Sequence, residues 1–411
     1  MVGKKMSLAK FFSRGAKFFS NDLRRRSFEK KIHPDTWYRH DQILEDAKFR
    51  SLVDGDSPNF YSDIARRGQA LRNEVLIRFK NKYCNTRGVR ILIHIPPKAV
   101  SPGGHSLFSN LLESIQYIGI PCEGLYWGES TEDRLESFRP TVLMSSDNDI
   151  YRNRINWAAV ERYRHKVSLQ VGLTASIEAY GNSPLQARLD WAKSKNINFF
   201  YSFRSPEYLE ARKDYAPYFL QGYSIYSIEF GANPLHYYPI DAVKDLPYTF
   251  LASSNPDKQS RYEEWLTPIM SKYPGFLDGP GWSNISQYAE IKYHKFLYAR
   301  ARVGINLHID DSIDWASELN ERTYILAACG IPQLIDNPLL LNNRFTKQSM
   351  FQANSPSEYK ELFEFIVNSL NEDFKEAYFA LHEVYDNHTT FHRAEGFVHQ
   401  MAALLNESIN L

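Results

Sequence analysis

The clearest pattern of apolar and polar positions lies late in the chain. Val303-Gly304-Ile305-Asn306-Leu307-His308 is a short apolar run bounded by polar residues, which predicts a buried strand. A polar stretch runs to Asn320. From Glu321 the apolar residues recur at helical spacing until Gly330-Ile331-Pro332, a helix stop, and Gln333 to Ile335 begins a second strand. The same alternation opens at Val89 to Ile95, with a helix from about His105 to Ile118 and a strand from Cys122 to Tyr126. Further strands are expected at Thr141 to Ser145, Lys166 to Val171, Asn198 to Ser202, Tyr218 to Leu220 and Tyr248 to Ala252, with helices such as Leu185 to Ser194 between them. Strand and helix in alternation predict an α/β fold of parallel sheets covered by helices.

The pattern breaks at Glu229-Phe230-Gly231-Ala232-Asn233-Pro234 and again at Tyr238-Pro239, which sets a domain boundary near residue 244. The expected organisation is a basic leader over 1–33, a Rossmann-like domain over 34–244 and a second Rossmann-like domain over 245–411. Its last helix, about Arg393 to Asn406, is expected to cross back to the first domain. Residues Pro34 to Lys82 read as helical and polar, and no chemistry is assigned to them.

Composition narrows the class. A chain of 411 residues with 43% apolar and 14% aromatic residues can bury two cores. The formal net charge of +1 gives no overall field for nucleic acid, and no nucleic-acid partner is expected. Cys84, Cys122 and Cys329 have no metal-ligand spacing, and their odd number suits a reducing, cytoplasmic setting. No apolar run approaches the roughly 20 residues of a membrane span. The charge is uneven, however. Residues 1–31 hold Lys4, Lys5, Lys10, Arg14, Lys17, Arg24, Arg25, Arg26, Lys30 and Lys31 against Asp22 and Glu29, with Leu8, Phe11, Phe12, Phe18, Phe19 and Leu23 at near-helical spacing. A basic helix with an aromatic face suits the surface of an anionic membrane. It equally suits an amphipathic helix packed on the protein body, or a disordered leader.

In a strand, loop, helix, strand unit the helix N-terminus stands beside the C-terminal end of a strand, and its unpaired N–H groups and partial positive charge suit a phosphate. Arg322 adds a permanently charged fork there. These features suggest a site for a nucleoside diphosphate.

Asn306, His308, Arg322, Tyr324, Ala328, Gly330, Pro332 and Ile335 resemble the carboxy-terminal motif of GT-B glycosyltransferases of the group 1 and CgeB-like branch. The similarity extends over roughly residues 89–405. It implies two Rossmann-like domains facing across a cleft, the second holding a nucleotide-sugar donor and the first a glycan or lipid-linked acceptor. Transfer of a hexosyl or related group is expected, without a metal and with no cofactor beyond the nucleotide sugar as co-substrate. The donor-binding candidates are Arg322, Asn320 and Thr323 at the helix start, Lys258 and Arg261 after the first strand of the second domain, His308, and Trp282 as a wall for the base. Glu318 and Glu321 join them, although the glutamate to which many relatives owe a ribose contact is replaced here by Ile325. The loop Asp310-Asp311-Ser312-Ile313-Asp314 superficially suggests a metal, but reads as solvated acids.

On the acceptor side, Gly103 and Gly104 join the first strand to its helix, and the resemblance sets this loop against the donor's diphosphate. Asp147 and Asp149 follow the strand Thr141 to Ser145, at the edge where open α/β sheets bind ligands. One of these carboxylates, or His105, is the candidate catalytic base; the alternative for the aspartates is helix capping. The leader, read as membrane-facing, suggests bacterial surface polysaccharide synthesis by a cytoplasmic enzyme peripheral to the inner face of the membrane. Two other classes stay open: a non-catalytic protein that binds nucleotide sugars or glycans, and another α/β enzyme acting on nucleotide sugars.

Overall fold

The computed structural model describes residues 22–53, 62–176, 183–254, 258–308, 318–369 and 374–406. Most of the basic leader and the Asp310 to Asp314 loop lie outside them. The chain divides into two compact units, one built on residues 72–234 with the closing helix, the other on 235–384 with the described residues before Arg72.

The first unit holds a six-stranded sheet in the order β2-β1-β3-β4-β5-β6. Its strands are β1 (Ile91–Ile95), β2 (Cys122–Tyr126), β3 (Val142–Ser146), β4 (Gln170–Thr174), β5 (Phe199–Ser202) and β6 (Ile225–Ser227). All pairs are parallel, with Ile91 beside both Cys122 and Val142. β1 and β3 are buried at every position, the pattern of strands covered on both faces. The closing helix Thr390–Leu405 packs on Pro102–Tyr117, and the Ser114 hydroxyl donates to Thr390 Oγ1 at 2.8 Å. The strand expected at Tyr218 to Leu220 is instead the end of a helix, Ala216–Leu220, with Pro217 in its first turn, where a fixed φ favours helix. The edge strand β6 forms a few residues later, beside β5.

The second unit holds a five-stranded sheet in the order β11-β10-β9-β7-β8. It comprises β7 (Leu246–Leu251), β8 (Phe276–Asp278), β9 (Ala301–Asn306), β10 (Gln333–Asp336) and β11 (Phe351–Ala353), again all parallel. Gly304 in β9 is forced by packing. A Cβ there would stand 2.5 Å from Leu326 Cδ2 and 2.8 Å from Ile331 Cδ1, so the bare backbone lets the helix Glu321–Ala328 lie close to the sheet. Two parallel Rossmann-like sheets in one chain are the fold class expected from the alternation of elements.

Residues 34–71 were assigned to the first domain, but their described part goes with the second sheet. Ile43, Leu44 and Ala47 of the helix His40–Val53 share a core with Leu246, Phe276 and Leu297. The buried His40 ring stacks on Phe276 with centroids 5.0 Å apart, and its Nε2 lies 2.9 Å from Asp278 Oδ1. The polar surface of this segment hid a buried stripe that selects the sheet it covers. Residues 22–31 form a helix that buries Phe28 among Tyr262 and Trp282 and leaves Leu23, Arg24, Arg26, Lys30 and Lys31 exposed. No helix among the described residues is long and apolar enough to cross a membrane.

Candidate active site

The sharpest chemistry of the second unit sits at the C-terminal ends of β7, β9 and β10. Asn306, the last residue of β9, is fully buried and works as a hub. Its Nδ2 donates to Thr323 Oγ1 at 2.9 Å and Gln333 Oε1 at 2.8 Å, and its Oδ1 accepts from Asn320 Nδ2 at 2.7 Å. Asn320 caps the helix Glu321–Ala328, its Oδ1 accepting the Thr323 N–H at 3.1 Å. Sheet and helix start are therefore tied by side chains whose hydrogen-bonding capacity is matched, which fixes the helix N-terminus against the strand ends.

Behind this lies a buried ion cluster. The Asp336 carboxylate accepts the His308 backbone N–H at 2.8 Å, lies 2.6 Å from His308 Nδ1 and receives Arg261 Nη2 at 2.8 Å. His308 Nε2 accepts the Asn320 N–H at 3.1 Å, so the ring proton is on Nδ1 and points at Asp336. Burial lowers the His308 pKa below its ordinary value against the pull of Asp336, and the cations Lys258 and Arg322 add to the lowering. Burial would raise Asp336, but His308 and Arg261 together hold it below the usual carboxylate range. The ring is thus a neutral strut between a carboxylate and the helix entry.

Two cations remain at the half-exposed edge. Arg322 donates from Nε to Leu251 O at the end of β7 at 3.0 Å, while its guanidinium lies 4.9 Å from the Phe250 ring centroid. Lys258 donates to Leu307 O at 2.9 Å. Arg322 Nη1 also reaches Asn306 Oδ1 at 3.4 Å, so the partners of its guanidinium are neutral, and the Arg322 backbone N–H has no partner among the described residues. This is the arrangement an anion requires. Arg261, by contrast, is spent on Asp336 and stacks 4.6 Å from the Trp265 centroid, so it braces the site. Glu318 is buried just before the helix and Glu321 half-buried at its start. Trp282 is no wall for a base: it is 3% exposed, packed between Phe28 and Tyr262, and its Nε1–H is bonded to Ala252 O at 2.7 Å. Gly281, at φ 92°, turns the chain so that the ring enters the core.

In the first unit, a cavity of about 370 Å³ opens at the C-terminal ends of the strands. Phe108, Tyr151, Phe203, Tyr215 and Phe230 give it apolar walls, with hydroxyls from Ser101, Ser146, Thr174, Ser176 and Ser202 and the cation Arg204. Gly104 lines it too, and a Cβ there would lie 2.4 Å from Tyr151 Oη and 2.7 Å from Ser101 Oγ. Gly103 faces open space. Ser101 stands at the N-cap of Pro102–Tyr117 without a side-chain capping bond, so the first helical N–H groups stay open. His105, at the end of the first turn of that helix, donates from Nδ1 to Pro96 O at 2.9 Å, because a carbonyl can only accept. In the neutral ring this leaves Nε2 with a lone pair.

Neither aspartate is placed as a base. Asp147 is 2% exposed and paired with the equally buried Arg188, and burial raises its pKa against the pull of that arginine. Asp149 accepts the Ser183 hydroxyl at 2.7 and 2.8 Å and pairs with Arg152. The cap of the short helix after β3 is Asn148, whose side chain accepts the Ile150 N–H, so capping belongs to the residue between the two aspartates. Sequence reading missed Asp336, Arg188 and Tyr218. Asp336 alone left a signal, an acid directly after the apolar run Leu334-Ile335. No cluster of metal-ligating side chains occurs among the described residues.

The span 259–399 matches the family described as Glycosyl transferase-like. The matched span contains Arg261, His308, Asn320, Arg322, Thr323 and Asp336, and so includes the motif around Arg322 that resembles glycosyltransferases. Among solved structures the chain is similar to T4 phage BGT in complex with its UDP-glucose substrate, with 13% identity, 79% of this chain and 100% of that one covered, and a TM-score of 0.48. It is also similar to sucrose-phosphate synthase from Thermosynechococcus elongatus, with 11% identity, 77% and 100% covered, and a TM-score of 0.47. No curated protein matches it in sequence.

Proposed function

We propose that the protein transfers a hexosyl or related group from a nucleoside-diphosphate sugar to a glycan or lipid-linked acceptor. The observation that carries this reading is the pair of half-exposed cations at the braced N-terminus of Glu321–Ala328: Arg322, inside the span that matches the glycosyltransferase family, and Lys258, the residue just before that span. Departure of the nucleotide leaves negative charge on the diphosphate, and a helix N-terminus with two cations stabilises it where it develops. That chemistry needs no metal and no resident cofactor.

The cavity at Gly104 and Tyr151 is the acceptor site in this reading, since aromatic walls stack on the apolar face of a sugar ring while the serine and threonine hydroxyls meet its edge. His105 is the base. Its Nε2 takes the proton of the acceptor hydroxyl as that oxygen bonds the anomeric carbon and the carbon–phosphate oxygen bond breaks. The cationic outer face of the helix over 22–31 supports an acceptor at the inner face of an anionic bacterial membrane, as in surface polysaccharide synthesis. Ile325, buried where relatives place a ribose-binding glutamate, favours one other reading, a nucleotide-sugar-binding protein without turnover.

The test is a thermal-shift screen against UDP, GDP, CDP, ADP and dTDP sugars with chelator present, repeated on Arg322→Ala, followed by nucleotide release without acceptor. A shift with one base that disappears in the variant, together with slow release, is expected. Binding without release leaves the second reading. No shift in a folded protein refutes both.

A further inference from the structure

The buried pair Arg188 and Asp147 has no place in binding or proton transfer, yet it lies directly behind the cavity wall. Ser146 and Asn148, on either side of Asp147, both line the cavity, while the Asp147 side chain turns inward. Arg188 reaches it from the helix Leu185–Ser194 and is itself 2% exposed. The guanidinium does more than neutralise the acid. Its Nη1, which bonds Asp147, also donates to Ser176 O at 3.0 Å, and its Nε donates to Ser183 O at 3.2 Å. Asp147 in turn accepts the Ser176 N–H and the Thr174 hydroxyl, both at 3.4 Å. The Tyr218 hydroxyl closes the group, 3.1 Å from Asp147 Oδ2 and 2.7 Å from Ser176 O.

Ser176 is therefore held at both its backbone N–H and its carbonyl by one ion pair, and Thr174 by its side chain; both residues line the cavity. Stability gives no reason for such an arrangement, because two apolar side chains of similar volume usually serve a fold as well as a buried ion pair does. What the pair supplies is direction: a planar fork sets three acceptors at fixed angles.

We propose that Arg188 and Asp147 are positioning residues that fix the stretch of cavity wall formed by Thr174 and Ser176 in the shape the acceptor meets. This rests on the reading of the cavity as the acceptor site. The pair touches no substrate, so it governs acceptor affinity and leaves chemistry at the donor alone.

The experiment compares the full-length protein with Arg188→Lys and with the double variant Asp147→Leu/Arg188→Met, which removes both charges and so leaves no unpaired ion. The donor is the nucleotide sugar found by thermal shift. The acceptor probes are methyl glycosides of glucose, galactose and N-acetylglucosamine, and amide hydrogen exchange is followed at Ser176. The double variant is expected to melt cooperatively and release nucleotide without acceptor at the normal rate. Its acceptor KM should rise roughly tenfold to a hundredfold, the cost of a displaced contact of about 1 Å, with kcat and donor KM little changed. Arg188→Lys, with one ammonium in place of the fork, should fall between. Exchange at Ser176 should accelerate in the double variant while the β1 amides stay protected. An unchanged acceptor KM in the folded double variant overturns the proposal. Where none of the probes is glycosylated, unchanged exchange at Ser176 overturns it, whereas absence of any donor binding or release in the unaltered protein refutes the transferase reading instead.

Discussion

The two sheets put their chemistry at the same topological place, the C-terminal ends of parallel strands, and treat charge in opposite ways there. In the second unit the acid is buried and the cations stand at the edge: Asp336 is enclosed by His308 and Arg261, while Arg322 donates to Leu251 O and Asn306 Oδ1 and Lys258 donates to Leu307 O. In the first unit the buried charges cancel. Asp147 and Arg188 pair below the surface, and the cavity is walled mainly by aromatics and hydroxyls, with Arg204 the one cation among its described lining residues. A site for a diphosphate needs positive charge where the negative charge develops, whereas a neutral sugar ring is held by aromatic faces and hydroxyls without requiring it.

The largest expected effect breaks the second unit. Asp336→Ala leaves Arg261 and the His308 ring N–H buried without their acceptor, and a loss of roughly 3–5 kcal/mol should appear in urea unfolding. A loss under 1 kcal/mol would mean that the cluster is solvated. The histidines then sharpen the contrast. His94, fully buried in β1, has its pKa pulled down by burial from the ordinary 6.5 to about 4. The unfolded chain takes up the proton first, so this contribution is full above pH 6.5 and is lost, by about 3 kcal/mol in all, as the pH falls towards 4. His40 runs the other way. Burial pulls its pKa down, but Asp278 and Asp41 outweigh that and raise it above 6.5. Its contribution is full below pH 6.5 and is lost as the pH rises through the folded value. Melting curves across this range should flatten on the acid side in His94→Asn and on the alkaline side in His40→Gln, and unchanged curves would reject the assignments.

Arg322→Ala should lower transfer about a hundredfold, or near 3 kcal/mol, with little change in melting temperature without ligand. Full activity would move the diphosphate elsewhere. Asp149→Asn should be the mildest change, within about threefold of normal turnover, because its oxygens are occupied by Ser183 and Arg152; collapse of activity with normal folding would restore it as the base.

Legibility differed along the same line. The fully apolar strands and the helix stops at Gly119-Ile120-Pro121 and Gly330-Ile331-Pro332 were plain, since a buried parallel strand needs an uninterrupted apolar run. Of the donor candidates, Asn320, Arg322, Thr323, His308 and Lys258 come together because one strand, loop and helix carries most of them. Trp282 did not join them, since an aromatic after a glycine turn can face either side and the packing of Phe28 chose the core. The segment 34–71 was misplaced because its buried stripe is short and no local rule says which sheet it covers.

Two parallel α/β units and the helix start that carries Arg322 could be read from the residues alone, because they follow from local periodicity and from chemistry within a few dozen residues. That Asp147 is a buried counter-ion, that Asp336 braces His308 and Arg261, and that the closing helix packs on Pro102–Tyr117 emerged from the folded chain. The role of a charged side chain depends on what desolvates it and what pairs with it, and those neighbours come from distant parts of the chain.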